Sequence, residues 1–121
     1  MTLFEALSTN TGAVGVWPHD GLYQLQFSDG TSRDATAAEI LVATKAAAIT
    51  DNRAECSRRI YARYPAGRQL SALAGLYDSA NVAAMHEWIA ANIAAENTAA
   101  DAIEAATTVA AVEAVSVSWP V

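Results

Sequence analysis

The chain has 121 residues, 53% of them hydrophobic but only 7% aromatic, and carries a formal net charge of −6; this length suits one domain, or one domain with an arm, around a single modest core. The acidic balance argues against general nucleic-acid binding, which needs a basic surface to displace counterions from phosphate. One cysteine, Cys56, excludes an internal disulfide, and no window approaches the ~18 uninterrupted apolar residues that a membrane span requires.

The first ten residues, MTLFEALSTN, have neither a basic n-region nor a long apolar h-region, so no signal peptide is expected. Leu3, Phe4 and Leu7 fit either a short helical turn or an apolar arm. Ser8 to Gly12 is turn material. Ala13 to Trp17 is strand-like, with Pro18 as its stop, and His19-Asp20-Gly21 reads as a turn. Leu22 to Ser28 is the clearest strand: Tyr23, Leu25 and Phe27 alternate with Gln24 and Gln26, which gives one apolar and one polar face. Asp29-Gly30 is expected to be a two-residue hairpin turn, with Thr31 to Asp34 as the return strand. Residues 1–35 thus hold a small antiparallel meander, which needs a helix or a neighbour on its apolar face.

Residues 36–114 are helical in pattern. Thr36 and Glu39 form a capping-box signature. Val42, Ile49, Cys56, Ile60 and Tyr64 lie near one line of a helical wheel, which favours one long helix up to Tyr64, with a break at Thr50-Asp51-Asn52 as the alternative. Pro65 ends it. Leu70, Leu73, Leu76 and Tyr77 give the next short helix an apolar stripe, and Asp78 to Asn81 is a turn with ready N-caps. Val82 to Glu96, with Met85, Trp88, Ile89 and Ile93, predicts a further helix. Asn97-Thr98 then offers a cap for another over residues 99–114. Residues 115–121 form a strand-like tail, free to join the meander or a neighbouring chain, because Val115, Val117 and Trp119 alternate with serine. The fold class expected is α+β.

Of the 29 alanines in the chain, most fall in these helices. Alanine favours helix strongly but buries little surface, so the helices gain less from packing than leucine-rich ones would. Stability gained from a partner or from self-association is the expectation.

No residue pattern carries catalytic or cofactor chemistry. His19 and His86 have no metal-ligand spacing to each other or to Cys56. Cys56 sits on the apolar stripe, as a buried structural cysteine would. Gly12 and Gly15 lack the rest of a phosphate-binding loop. Asp29 reads as a turn residue and Glu39 as a cap. The expectation is a protein without cofactor or metal that is not an enzyme.

The concentrated feature is basic. Five of the seven basic residues, Arg53, Arg58, Arg59, Arg63 and Arg68, lie within residues 52–77. Glu55 and Arg59 should pair across one helical turn, whereas Arg59 and Arg63 should repel. The cluster therefore wants acid, either from Asp51, Asp78 or Glu87 or from a partner. Tyr61 and Tyr64 interleave with it, and Arg and Tyr are both common interface anchors. Arg58, Arg59, Tyr61, Arg63, Tyr64 and Arg68 are the candidate docking residues. Trp119 joins them as a side chain that either folds back or inserts into a neighbour.

The string Ala54-Glu55-Cys56-Ser57-Arg58-Arg59-Ile60, followed by Tyr64-Pro65 and Arg68-Gln69, resembles a motif of small bacteriophage tail proteins of the tail-fibre-associated and tail-fibre-assembly type. Leu25-Gln26-Phe27-Ser28-Asp29-Gly30-Thr31 is similar to segments upstream of that motif. The resemblance covers roughly residues 20–120. It implies a virion component of the tail fibre or baseplate region, made in the host cytoplasm, that docks onto other phage tail proteins or onto itself; charge and hydropathy, as above, lead to the expectation of neither nucleic acid nor membrane as a partner. The alternative it leaves open is a tail assembly chaperone absent from the finished particle. A small enzyme or regulator unrelated to phage is the third possibility.

Overall fold

The computed structural model describes residues 1–121. The protein is α+β: a helix and a three-stranded antiparallel sheet, followed by four helices.

Helix α1 (Leu3–Thr11) settles the choice left open at the N-terminus. The Thr2 hydroxyl accepts from the Glu5 amide at 3.1 Å, and the Glu5 carboxylate accepts from the Thr2 amide at 2.8 Å. This capping box satisfies donors that a short helix would otherwise leave bare. Ser8 to Thr11, which reads as turn in sequence, is the last turn of α1, and the helix stops at Gly12, whose amide donates to the Ser8 carbonyl.

Strands β1 (Gly15–His19), β2 (Leu22–Gln26) and β3 (Ser32–Asp34) pair in sequence order. Two sequence expectations need correction here. Pro18 does not stop β1 but pairs with Tyr23 inside it; β1 is an edge strand, where a missing donor can face away from the ladder. The two-residue turn is Asp20-Gly21, both at positive φ, between the paired His19 and Leu22. Asp29-Gly30 instead belongs to a longer loop in which the Gly30 amide donates to the Phe27 carbonyl and only Gly30 has positive φ. The Asp29 carboxylate accepts from both the amide and the hydroxyl of Thr31, at 2.9 and 2.6 Å. Those bonds hold its pKa below the ordinary carboxylate value.

Helix α2 (Ala37–Arg63) is a single helix that runs through Thr50-Asp51-Asn52. Its Thr36/Glu39 capping box forms as the sequence predicts, and Arg33 of β3 also grips Glu39 through two bonds of 2.6 and 2.9 Å. Val42 is exposed, so the buried line of α2 starts one residue later, at Ala43, and continues through Ile49 and Cys56. Helix α3 (Ala66–Leu73) starts after Pro65.

Helix α4 (Ser79–Ala105), capped by Asp78, is the main departure from expectation. It passes through Asn97-Thr98 unbroken. Its buried stripe is Met85, Asn92, Glu96, Ala99 and Ile103, spaced as one helical face. The break comes later, where Thr108 caps the short α5 (Val109–Glu113). The tail keeps the alternation of the sequence, with Val115, Val117 and Trp119 half-buried and Ser116 and Ser118 exposed. It adds no strand to the sheet.

The core is divided. Ala6, Leu7, Ala13, Leu25, Ala35 and Ala43 join α1, the sheet and the start of α2, and four of these six are alanine. Ile49, Ile103 and Val112 form a second, smaller cluster where α2, α4 and α5 meet. Residues 60–90 belong to neither cluster. No helix is long and apolar enough to cross a membrane.

Candidate docking surface

The basic cluster sits at the far end of the α2–α4 pair, around the α2–α3 corner. Glu55 is its internal anchor. Its carboxylate accepts from Arg58 at 2.7 and 2.6 Å and from Arg59 at 2.9 Å. The three-residue and four-residue spacings place both guanidinium groups over the same carboxylate. The bonds from Arg58, foremost, and Arg59 hold the Glu55 pKa down at about 2. The Glu55–Arg59 pair expected from sequence is present. The other acids proposed as counterparts are not: Asp51 binds the N-terminal ammonium at 2.7 Å, and Asp78 and Glu87 form no ion pair. Arg53 approaches Glu96 instead, at 3.7 Å.

Aromatic rings take the place of carboxylates for the rest of the cluster. Arg59 lies 5.0 Å from the ring centre of Trp119, and Arg63 lies 4.5 Å from Trp88 and 5.9 Å from Tyr64. Arg68 reaches the Tyr64 ring, also at 5.9 Å, and donates to the Arg63 carbonyl at 3.2 Å. Each such contact contributes about 0.5–1 kcal/mol at exposed sites. The corner is closed by Gln69, which donates its side-chain amide to the Tyr64 carbonyl at 2.8 Å. The structure thus brings Arg63, Tyr64 and Arg68 together with Trp88 in one set of cations and rings, and pairs Arg59 with Trp119 in another. Trp119 folds back onto its own chain to meet Arg59.

Tyr61 points elsewhere. It is 55% exposed and lines a groove of about 580 Å³ with Leu70, Leu73, Met85, His86 and Ile89. The groove marks a further mismatch between sequence and structure. The apolar stripe expected of this segment is bare: Leu70 is 66% exposed and Leu73 85% on α3, and beyond its end Leu76 is 74% exposed and Tyr77 is also exposed. Arg63, Tyr64, Arg68, Tyr77 and Asn81 line a smaller adjoining pocket of about 290 Å³, which shares Ala72 and Met85 with the groove.

Cys56 is buried and unpaired. Burial, with the nearby Glu96 carboxylate second, pushes its thiol pKa up, which disfavours the thiolate that reactivity requires. His19 lies 3.5 Å from Asp20 in the exposed first hairpin, and His86 is exposed on α4. No group of three or more His, Cys, Asp or Glu side chains is placed to hold a metal ion.

Sequence reading missed two polar residues of α4. Asn92 is fully buried and Glu96 is 7% exposed. Asn92 donates to the Trp88 carbonyl at 2.9 Å, while its Oδ1 and one Glu96 oxygen, Oε1, have no hydrogen-bond partner. The signal lay in the spacing of Met85, Asn92, Ala99 and Ile103, which is visible only if a polar residue is allowed in the stripe.

No family model, curated protein or solved structure matches this chain.

Proposed function

We propose that this protein is a structural component of a bacteriophage virion, in the tail fibre or baseplate region, and that it acts by docking onto other tail proteins. The observation that carries the docking half is the α2–α3 corner, where Leu70, Leu73 and Tyr61 stand exposed beside Arg63 and Arg68, neither of which has a carboxylate partner. Exposed aliphatic and aromatic side chains bordered by arginine are the usual make-up of a protein interface. The phage half rests on the resemblance of residues 54–69 and 25–31 to small tail proteins. The net charge of −6 weighs against nucleic acid as the partner.

Mass spectrometry of purified particles from the source phage tests this. The expected result is stoichiometric presence of the chain, at the multiplicity of a tail or fibre ring. Absence from particles together with abundance in infected cells would replace the virion role with that of an assembly chaperone. A source with no phage or prophage would remove both.

A further inference from the structure

We infer that the pocket lined by Arg63 and Arg68 takes a carboxylate from a partner protein, on an acidic side chain that sits next to an apolar one. The inference rests on the docking reading of the same corner and states the chemistry of what docks there.

The first observation is where the unpaired cations lie. The chain has six arginines. Four meet a carboxylate of their own chain: Arg33 on Glu39 at 2.6 Å, Arg58 and Arg59 on Glu55 at 2.6 and 2.9 Å, and Arg53 beside Glu96 at 3.7 Å. The two that meet none, Arg63 and Arg68, line the same pocket. The chain holds 13 acidic residues, yet none of them lines this pocket.

The second is how these two cations are held. Arg63 lies 4.5 Å from the ring centre of Trp88, and both guanidinium groups lie 5.9 Å from that of Tyr64. A ring face offsets positive charge, but it cannot accept two parallel N–H bonds as a carboxylate does. The rings therefore position the cations and leave the bidentate partner to be supplied. Arg68 gives one N–H to the Arg63 carbonyl at 3.2 Å, which ties the two residues together. Tyr64, Tyr77 and Asn81 bring two hydroxyls and a carboxamide to the same lining, and these are further donors to an oxyanion.

The third observation selects the source of the oxyanion. The pocket shares Ala72 and Met85 with the groove lined by Leu70, Leu73 and Ile89. An occupant that fills both places a carboxylate beside an aliphatic or aromatic side chain. A protein segment carries that combination, whereas inorganic phosphate and a nucleic-acid backbone do not. The net charge of −6 also repels a polyanion at long range, while a single carboxylate is met only at contact.

The test is an NMR titration of the full chain that follows the arginine Nε–H signals. The probes are the capped peptide Ala-Leu-Glu-Leu-Ala, the same peptide with glutamine for glutamate, and inorganic phosphate. The expected result is saturable movement of the Arg63 and Arg68 signals by the glutamate peptide, with a Kd at least about ten-fold higher for the glutamine peptide. Joint Arg63→Gln and Arg68→Gln should abolish binding, with circular dichroism to show that these exposed positions leave the fold intact. Arg58→Gln should leave binding unchanged, because Arg58 already lies on Glu55. Equal affinity for the two peptides, no binding of either, tighter binding of phosphate, or binding that survives the double substitution overturns the inference. A chain that ignores the glutamate peptide but is present in purified particles would lose the carboxylate occupant and keep the docking role. A chain that binds it but is absent from particles would keep the pocket and lose the virion role.

Discussion

The two ends of this molecule use apolar residues in opposite ways. At the N-terminal end, a nine-residue helix, a three-stranded sheet and the first turns of α2 enclose Leu7 and Leu25 completely, and four alanines let the elements approach closely. At the α3 end, leucines of the same size stand in solvent, and the buried residues are isolated: Cys56, Ala72 and Met85. The first end is closed by its own chain. The second has side chains suited to a core but too few elements to enclose them, because α3 is only eight residues long and lies at the tip of the α2–α4 pair. Burial at one end stabilises the fold, and exposure at the other leaves free energy available for association.

The sharpest way to test that contrast is to cut the same kind of side chain at both ends. Leu25→Ala removes a fully buried side chain and should cost about 2–5 kcal/mol of unfolding free energy. Leu73→Ala should change the stability of the isolated monomer by less than about 0.5 kcal/mol. Denaturant titration of both variants, at concentrations where the chain is monomeric, reads the difference. Equal costs would mean that the α3 end has a core after all.

Asn92→Leu sharpens the comparison from the middle of α4. The change removes a buried oxygen without a partner and should raise stability by about 1 kcal/mol. A loss instead would mean that the Asn92 carbonyl has a bonding role in solution. Thr36→Ala deletes the cap of α2 and should cost about 1 kcal/mol, read by thermal unfolding. Its effect belongs to the closed end, where the capped turn also holds Glu39 against Arg33.

The smallest expected effect is on pH dependence. Glu39 and Glu55 are both held down to about 2, by Arg33 and by Arg58 respectively. Their folded pKa values lie below the ordinary glutamate value of 4.5, so the folded state binds fewer protons. The stabilisation is therefore present above about pH 4.5 and fades as pH falls toward 2. Both pairs are exposed, so solvent screening keeps the contribution small. Glu55→Gln should flatten the acid limb of the stability curve slightly, and an unchanged curve would show that its three bonds from the two arginines contribute nothing in solution.

Much of the molecule was legible in its residues. The alternation of Tyr23, Leu25 and Phe27 identified the central strand, and Thr36 with Glu39 marked the start of α2. Pro65 marked its end, and the four-residue spacing of Glu55 and Arg59 predicted their pair. These features depend on backbone periods, free amides and ring geometry, which neighbouring residues settle among themselves. The same kind of signal, Thr2 with Glu5, was present at α1 and went unread. What local pattern could not decide was which apolar stripe would find a surface to cover it. The leucines of α3 and the polar stripe of α4 carry opposite expectations from composition, yet Leu73 is exposed and Asn92 is buried. Nor could it decide that Trp119 would lie on Arg59 rather than in a neighbour, or that α4 would run through Asn97-Thr98. Burial depends on which elements meet across tens of residues, and a cap signal yields wherever continued helix buries more than a break would. Tertiary structure alone made those choices.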